Sequence, residues 1–187
     1  SLNVGRPQSS GMGFGIQTAA ICAGGNTPPI TLKTEQYNGT AWTELASPSD
    51  LTYTAYTRKS AAAGTTTAGL MFGGNPGVAP PWTTNDTEIW NGSTWAETGD
   101  MTATHRLAVG LGTSTAAVCA GGYQNNGTTF QATEEFNGAS WATIPGGDMN
   151  TDSYAYGSTG IQTAGMVAGG TPALTQTEIY DGSTWTA

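Results

Sequence analysis

Several side chains in this 187-residue chain are of types that do chemistry. Asp100 and Asp148 each stand in a Gly-Asp-Met phrase, and two carboxylates at suitable separation can cleave a glycosidic bond. Glu35, Glu88, Glu134 and Glu178 each follow a threonine, and carboxylates converging from several segments could hold a hard cation. His105 is the only histidine and Cys22 and Cys119 the only thiols. Trp82, Tyr123, Phe130, Tyr53, Tyr56, Tyr154 and Tyr156 lie among amide, hydroxyl and glycine residues. Flat aromatics beside polar side chains suit a sugar ring, which offers one apolar face and a polar edge.

What such residues can do depends on the elements that hold them, and these are written as a repeat. TEQYNGTAWTE (34–44), TEIWNGSTWAE (87–97), TEEFNGASWAT (133–143) and TEIYDGSTWTA (177–187) are one phrase spelled four times. Upstream of each copy stands a second phrase, GIQTAAICAGG (15–25), GTTTAGLMFGG (64–74), GTSTAAVCAGG (112–122) and GIQTAGMVAGG (160–170). Its Gly pairs begin at Gly24, Gly73, Gly121 and Gly169, a period of 48 to 49 residues. Four repeats, at about 1–50, 51–100, 101–148 and 149–187, form a single domain covering the chain.

A unit of this length holds about four short strands. In each copy an aromatic residue precedes Asn-Gly or Asp-Gly, a pair suited to the left-handed φ values of a tight two-residue hairpin. The aromatic therefore ends one strand, and Trp42, Trp95, Trp141 or Trp185 sits on the next. The G-x-x-T phrase turns a small-residue strand into the apolar strand that ends at the Gly pair. Two linked hairpins make a four-stranded antiparallel sheet that cannot bury both faces alone, so neighbours must stack. The expected fold class is all-β, a propeller of four blades. The small-residue stretches GMGFG, SAAAG and LAVGLG suit its crowded axis. Each of the four Trp is expected between blades, contributing roughly 4 to 6 kcal/mol as an upper bound. Closure as a four-bladed ring or as part of a larger ring stays open.

A Gly pair ending the second strand, an aromatic 12 to 17 residues later and a Trp five residues beyond it resemble the kelch repeats of galactose-oxidase-type propellers. The resemblance covers all four units and implies the fold rather than one function. The Thr/Ala/Gly/Asn-rich wording also resembles, more loosely, kelch-like repeats in virion and tail proteins of marine bacteriophages. The Asp-box turn of sialidase-type propellers fits less well, because the residue separating its Asp and Gly is absent from every copy.

Against this scaffold the chemical candidates thin out. One histidine cannot assemble the copper site that galactose oxidase would imply, and no nucleophile, base and orienting group form a set. Recurrence of Glu in every repeat suits a structural hydrogen bond better than a metal site, and recurrence of Gly-Asp-Met suggests structure for Asp100 and Asp148. No metal and no cofactor are assigned, and the chain is read as non-enzymatic. Cys22 and Cys119 fill the place of Met71 and Val167, which marks them as free core thiols. Arg58 and Arg106 are read as blade-end ion-pair residues. The sequons at Asn38, Asn85, Asn91 and Asn126 follow from turn composition.

A net charge of −8, from 13 acidic and 5 basic residues, argues against a nucleic-acid partner. No apolar run approaches the roughly 20 residues that span a bilayer, so no membrane partner is expected. The tight turns are nearly constant across the repeats while the segments after the Gly pairs differ, and variable loops on a rigid scaffold are where binding residues gather. The expected contact residues are Trp82, Tyr123, Phe130, Tyr53, Tyr56 and Tyr154. The favoured function is a virion or extracellular component that meets a surface glycan or receptor, with other virion proteins or a second copy as partners. A purely structural or protein-interaction propeller is the alternative, and a glycan-cleaving enzyme is third.

Overall fold

A computed structural model describes residues 1–6, 13–25, 31–52, 61–75, 83–124, 128–152, 154, 157–171 and 175–187. Every regular element in them is a strand. Blade 1 holds β1 (Gly13–Ile16), β2 (Ala19–Ala23), β3 (Thr34–Tyr37) and β4 (Trp42–Glu44), and blade 2 holds β5 (Ala61–Thr65), β6 (Ala68–Phe72), β7 (Thr87–Trp90) and β8 (Trp95–Glu97). Blade 3 holds β9 (Val109–Gly112), β10 (Ala117–Ala120), β11 (Thr133–Phe136) and β12 (Trp141–Thr143). Blade 4 holds β13 (Gly157–Ile161), β14 (Ala164–Ala168), β15 (Thr177–Tyr180) and β16 (Trp185–Thr186). Within each blade the strands pair in chain order, always antiparallel. The protein is an all-β, four-bladed β-propeller.

The innermost strands β1, β5, β9 and β13 line one central hollow of about 410 Å³. Glycine, alanine and serine dominate them because backbones crowd there. A side chain on Gly110 would reach within 2.7 Å of the Ala62 backbone nitrogen in the neighbouring blade.

Register fixes which loops share an end of the sheet. Ala20 pairs with Tyr37 and Ala23 with Thr34. The β1–β2 turn therefore lies beside the Asn38-Gly39 turn, and the Gly-pair loop leaves from the opposite end. The same division recurs in blades 2, 3 and 4.

Both turn types differ in detail from expectation. Gly15, Gly64, Gly112 and Gly160 are not turn residues; each is paired within the ladder at φ between 105° and 126°. A Cβ on Gly112 would overlap the Ala116 carbonyl oxygen. Gly112→Ala should cost about 2–3 kcal/mol, read as a lower urea midpoint; an unchanged midpoint would show that this rung tolerates a side chain.

The Asn-Gly turn is not the expected two-residue form with both residues left-handed, because only Gly39, Gly92, Gly138 and Gly182 have positive φ there. Asn38 instead turns its side chain inward, and its Oδ1 accepts from the Thr40 and Ala41 amides, both at 3.0 Å. Asn91, Asn137 and Asp181 do the same. At Asp181 these donors, Thr184 and Ser183, push the carboxyl down to about 2. The side-chain oxygen substitutes for a backbone carbonyl.

The apolar core is divided among the junctions between blades. One cluster joins Phe14 and Ile21 to Met71, Trp90 and Trp95; a second joins Leu70 and Phe72 to Phe136 and Trp141; a third joins Leu111 and Val118 to Tyr180 and Trp185. Each seam is pinned in the same way. Trp95 Nε1 donates to Thr34 Oγ1 at 2.9 Å, Trp141 Nε1 to Thr87 Oγ1 at 3.0 Å, and Trp185 Nε1 to Thr133 Oγ1 at 2.9 Å. Trp42 departs from the expectation that all four Trp lie between blades: it is only half-buried, stacked on Tyr37 at 5.2 Å. Among the described residues its indole meets no threonine of a neighbouring blade.

Candidate functional site

The recurring glutamates act as hubs for the connections that enter each blade. Glu134 is 1% exposed and accepts the amides of Thr102 at 2.7 Å and Ala103 at 3.0 Å. Glu178 accepts Asn150 and Thr151, Glu35 accepts Asn3 and Val4, and Glu88 accepts Thr52. Burial alone would raise the Glu134 and Glu35 carboxyls, but these donors, with His105 or Arg6 beside them, hold both below the usual carboxylate range. The structural reading of the Glu repeat therefore holds.

His105 is also structural. Its Nε2 lies 3.2 Å from Glu134 Oε1, its Nδ1 lies 3.1 Å from the Gly121 carbonyl, and its ring meets Phe130 edge-on at 4.8 Å. Arg6 does the same work in blade 1: its Nη2 lies 3.0 Å from Glu35 Oε1, and its Nη1 donates to the Gly24 carbonyl. The two residues stand four positions after Leu2 and Met101, the openings of their repeats. That matched spacing was the available signal, hidden because Arg and His do not look alike.

Cys22 and Cys119 are free thiols, half-buried and buried respectively. Burial raises both thiols, that of Cys119 well above its ordinary value. Asp100 and Asp148 are exposed on separate connections between blades.

Of the expected contact residues, Trp82, Tyr53 and Tyr56 lie outside the described residues, as do Tyr156 and Arg58. Tyr123, Phe130 and Tyr154 lie inside them, all half-buried. Tyr123 and Tyr154 meet edge to face at 5.4 Å, bringing the Gly-pair loop of blade 3 against the connection into blade 4. Tyr123 also bridges to Arg106 and Thr129, and Tyr154 to Thr171. These are contacts of the variable ends. The connections do not keep to that end throughout: the one after blade 1 reaches the Asn-Gly turn of blade 2, where Ser49 Oγ donates to the Ser93 carbonyl at 2.6 Å.

Arg106 makes no ion pair among the described residues, contrary to expectation. Its guanidinium lies 4.6 Å from the Tyr123 ring centre, a cation–π contact. Its buried Nε lacks a hydrogen-bond partner among the described residues. Tyr123, Tyr154 and Arg106 thus form one ledge at the blade 3–blade 4 junction, with Phe130 behind it on the His105 side. The ledge offers ring faces, a phenol hydroxyl pair and a cation, which can stack on a ring and donate to its polar edge. No protein-family model matches the chain, and no curated protein matches its sequence.

Proposed function

We propose that this protein is a non-enzymatic binding propeller whose ledge of Tyr123, Tyr154 and Arg106 contacts a surface glycan or a glycan-bearing receptor. The observation that carries this reading is the convergence of two tyrosines and an arginine from different loops at the variable end of the blades. The tight-turn end has no such cluster among the described residues; its polar groups are spent on holding the turns. A sugar ring stacks its apolar face on tyrosine while its hydroxyls accept from a guanidinium or phenol. The resemblance of the repeats to kelch blades, and of their wording to marine phage virion and tail proteins, supports a place on a virion.

Glycan-array binding of the purified chain tests it. Tyr154→Ala and Tyr123→Ala should each weaken binding at least tenfold, about 1.4 kcal/mol, while Gln17→Ala at the tight-turn end leaves it unchanged. Equal binding by all four proteins removes this ledge as the site. Reducing-sugar release from a bound glycan would instead point to Asp100 and Asp148. A purely structural or protein-interaction role is favoured by a separate observation, the uncovered apolar faces of the first and last blades.

A further inference from the structure

Three seams in this chain show what each blade face requires, and the first and last blades each leave one such face empty. At every made seam the Trp indole of the later blade donates to a buried Thr of the earlier one. Thr34, Thr87 and Thr133 are 0%, 1% and 0% exposed, whereas Thr177, at the same place in blade 4, is exposed. Around it the face follows suit. Met166 is 39% exposed where Ile21, Leu70 and Val118 are 1%, 0% and 0%. Ile179 is 49% exposed.

The opposite face of blade 1 is empty in the complementary sense. Trp42 and Tyr37 are half-buried where their counterparts in blades 2, 3 and 4 are buried. Beside Trp42 lies a shallow hollow of about 350 Å³ that also reaches Ala20 and Cys22. At the made seams the corresponding space is filled by the earlier blade: a side chain on Gly69 would collide with the Phe14 ring, and one on Gly165 with Leu111. The connection shows the same gap. Leu51, Met101 and Met149 are 3%, 2% and 2% exposed, and their amides donate to Leu32, Asn85 and Gln131 of the preceding blade. Leu2, in the equivalent place, is 36% exposed.

These two faces do not cover each other within one chain. β1 packs on β5, β5 on β9 and β9 on β13, but among the described residues β13 and β1 share no packing of that extent. We propose that the blade 4 face of one molecule takes the blade 1 face of a second copy of this chain, head to tail, and the reverse at the other side. Two arrays of four blades then close an eight-bladed ring with two identical new seams, within the range of about four to eight blades that propellers use. Trp42 Nε1 donates to Thr177 Oγ1 across each new seam, and the Leu2 amide donates to the Thr175 carbonyl. The side chains that meet, Ala20, Cys22, Tyr37 and Trp42 against Met166, Thr177 and Ile179, are uncharged, so the faces fit without an ion pair to match.

Sedimentation equilibrium of the 187-residue chain tests this. The wild type should show twice the chain mass. Ile179→Arg places a charge in the seam at a residue that is itself 49% exposed, and should weaken association on the order of 30-fold or more. Trp42→Ala should do likewise from the other side. Mixing the two variants should restore a species of twice the chain mass, because one seam then joins an intact head to an intact tail. A monomer at all concentrations overturns the proposal, as does an open-ended polymer. A dimer indifferent to both substitutions also overturns it. Unchanged circular dichroism of Ile179→Arg excludes unfolding as the cause of dissociation.

Discussion

Trp141→Ala should lower stability by about 3–5 kcal/mol, whereas Trp42→Ala, measured with association blocked by Ile179→Arg, should cost less than about 1.5 kcal/mol. Both residues sit at the same place in the same repeated phrase, so propensity and turn chemistry are matched and the seam is what differs. Trp141 is 5% exposed and packs on Phe72 at 4.7 Å and Phe136 at 5.2 Å. It also supplies the donor for Thr87 Oγ1, so the variant leaves a cavity and a buried hydroxyl that has lost a partner. Among the described residues the Trp42 ring meets one other ring, its own Tyr37. In a repeat array stability is a sum of unit terms and neighbour terms, and this pair of variants separates the two. Equal losses, read from urea midpoints at constant slope, would show that the indole acts within its own blade and that the seams are held by something else.

The same comparison explains what was legible in the sequence. Strand order, the hairpin pairs and the separation of the tight turns from the Gly-pair loops follow from turn residues and periodicity, because these act within one repeat. The aromatic before Asn-Gly does end β3, β7, β11 and β15, each paired with the Trp that opens the next strand. Whether a blade has a neighbour is not written inside the blade. TEQYNGTAWTE and TEEFNGASWAT read alike, yet Trp141 is buried and donates to Thr87 while Trp42 is half-buried and meets no such threonine among the described residues. The turn type was misread because Asn-Gly fits two geometries, and only the Oδ1 bonds to the following amides decide between them. At the ledge, Tyr123 and Tyr154 are legible as aromatics placed in a variable loop and in a connection into an innermost strand. Arg106 was assigned an ion pair because charge was weighed and ring stacking was not.

Glu134→Ala should cost about 3–5 kcal/mol at neutral pH, the range for breaking one side of a buried pair. The carboxylate is shared by three donors from the connection into blade 3: the Thr102 and Ala103 amides and His105 Nε2. Removing it strands two backbone N–H groups and a ring nitrogen at a site that is 1% exposed. Glu134→Gln keeps the shape but loses the charge and exchanges one acceptor oxygen for a donor, so its cost should be smaller, about 1.5–3 kcal/mol. The pH dependence follows from the direction of the shift. Glu134 is held below its ordinary value in the folded state, so the unfolded chain takes up its proton first on acidification. Its contribution is therefore complete above the ordinary carboxylate value, near 4.3, and is lost as pH falls through the lowered folded value. Urea unfolding at pH 7 and at pH 3 should show the gap between wild type and Glu134→Gln narrowing in acid. A gap that stays constant would mean the variant acts through shape alone, and the carboxylate charge is not what ties the connection to its blade.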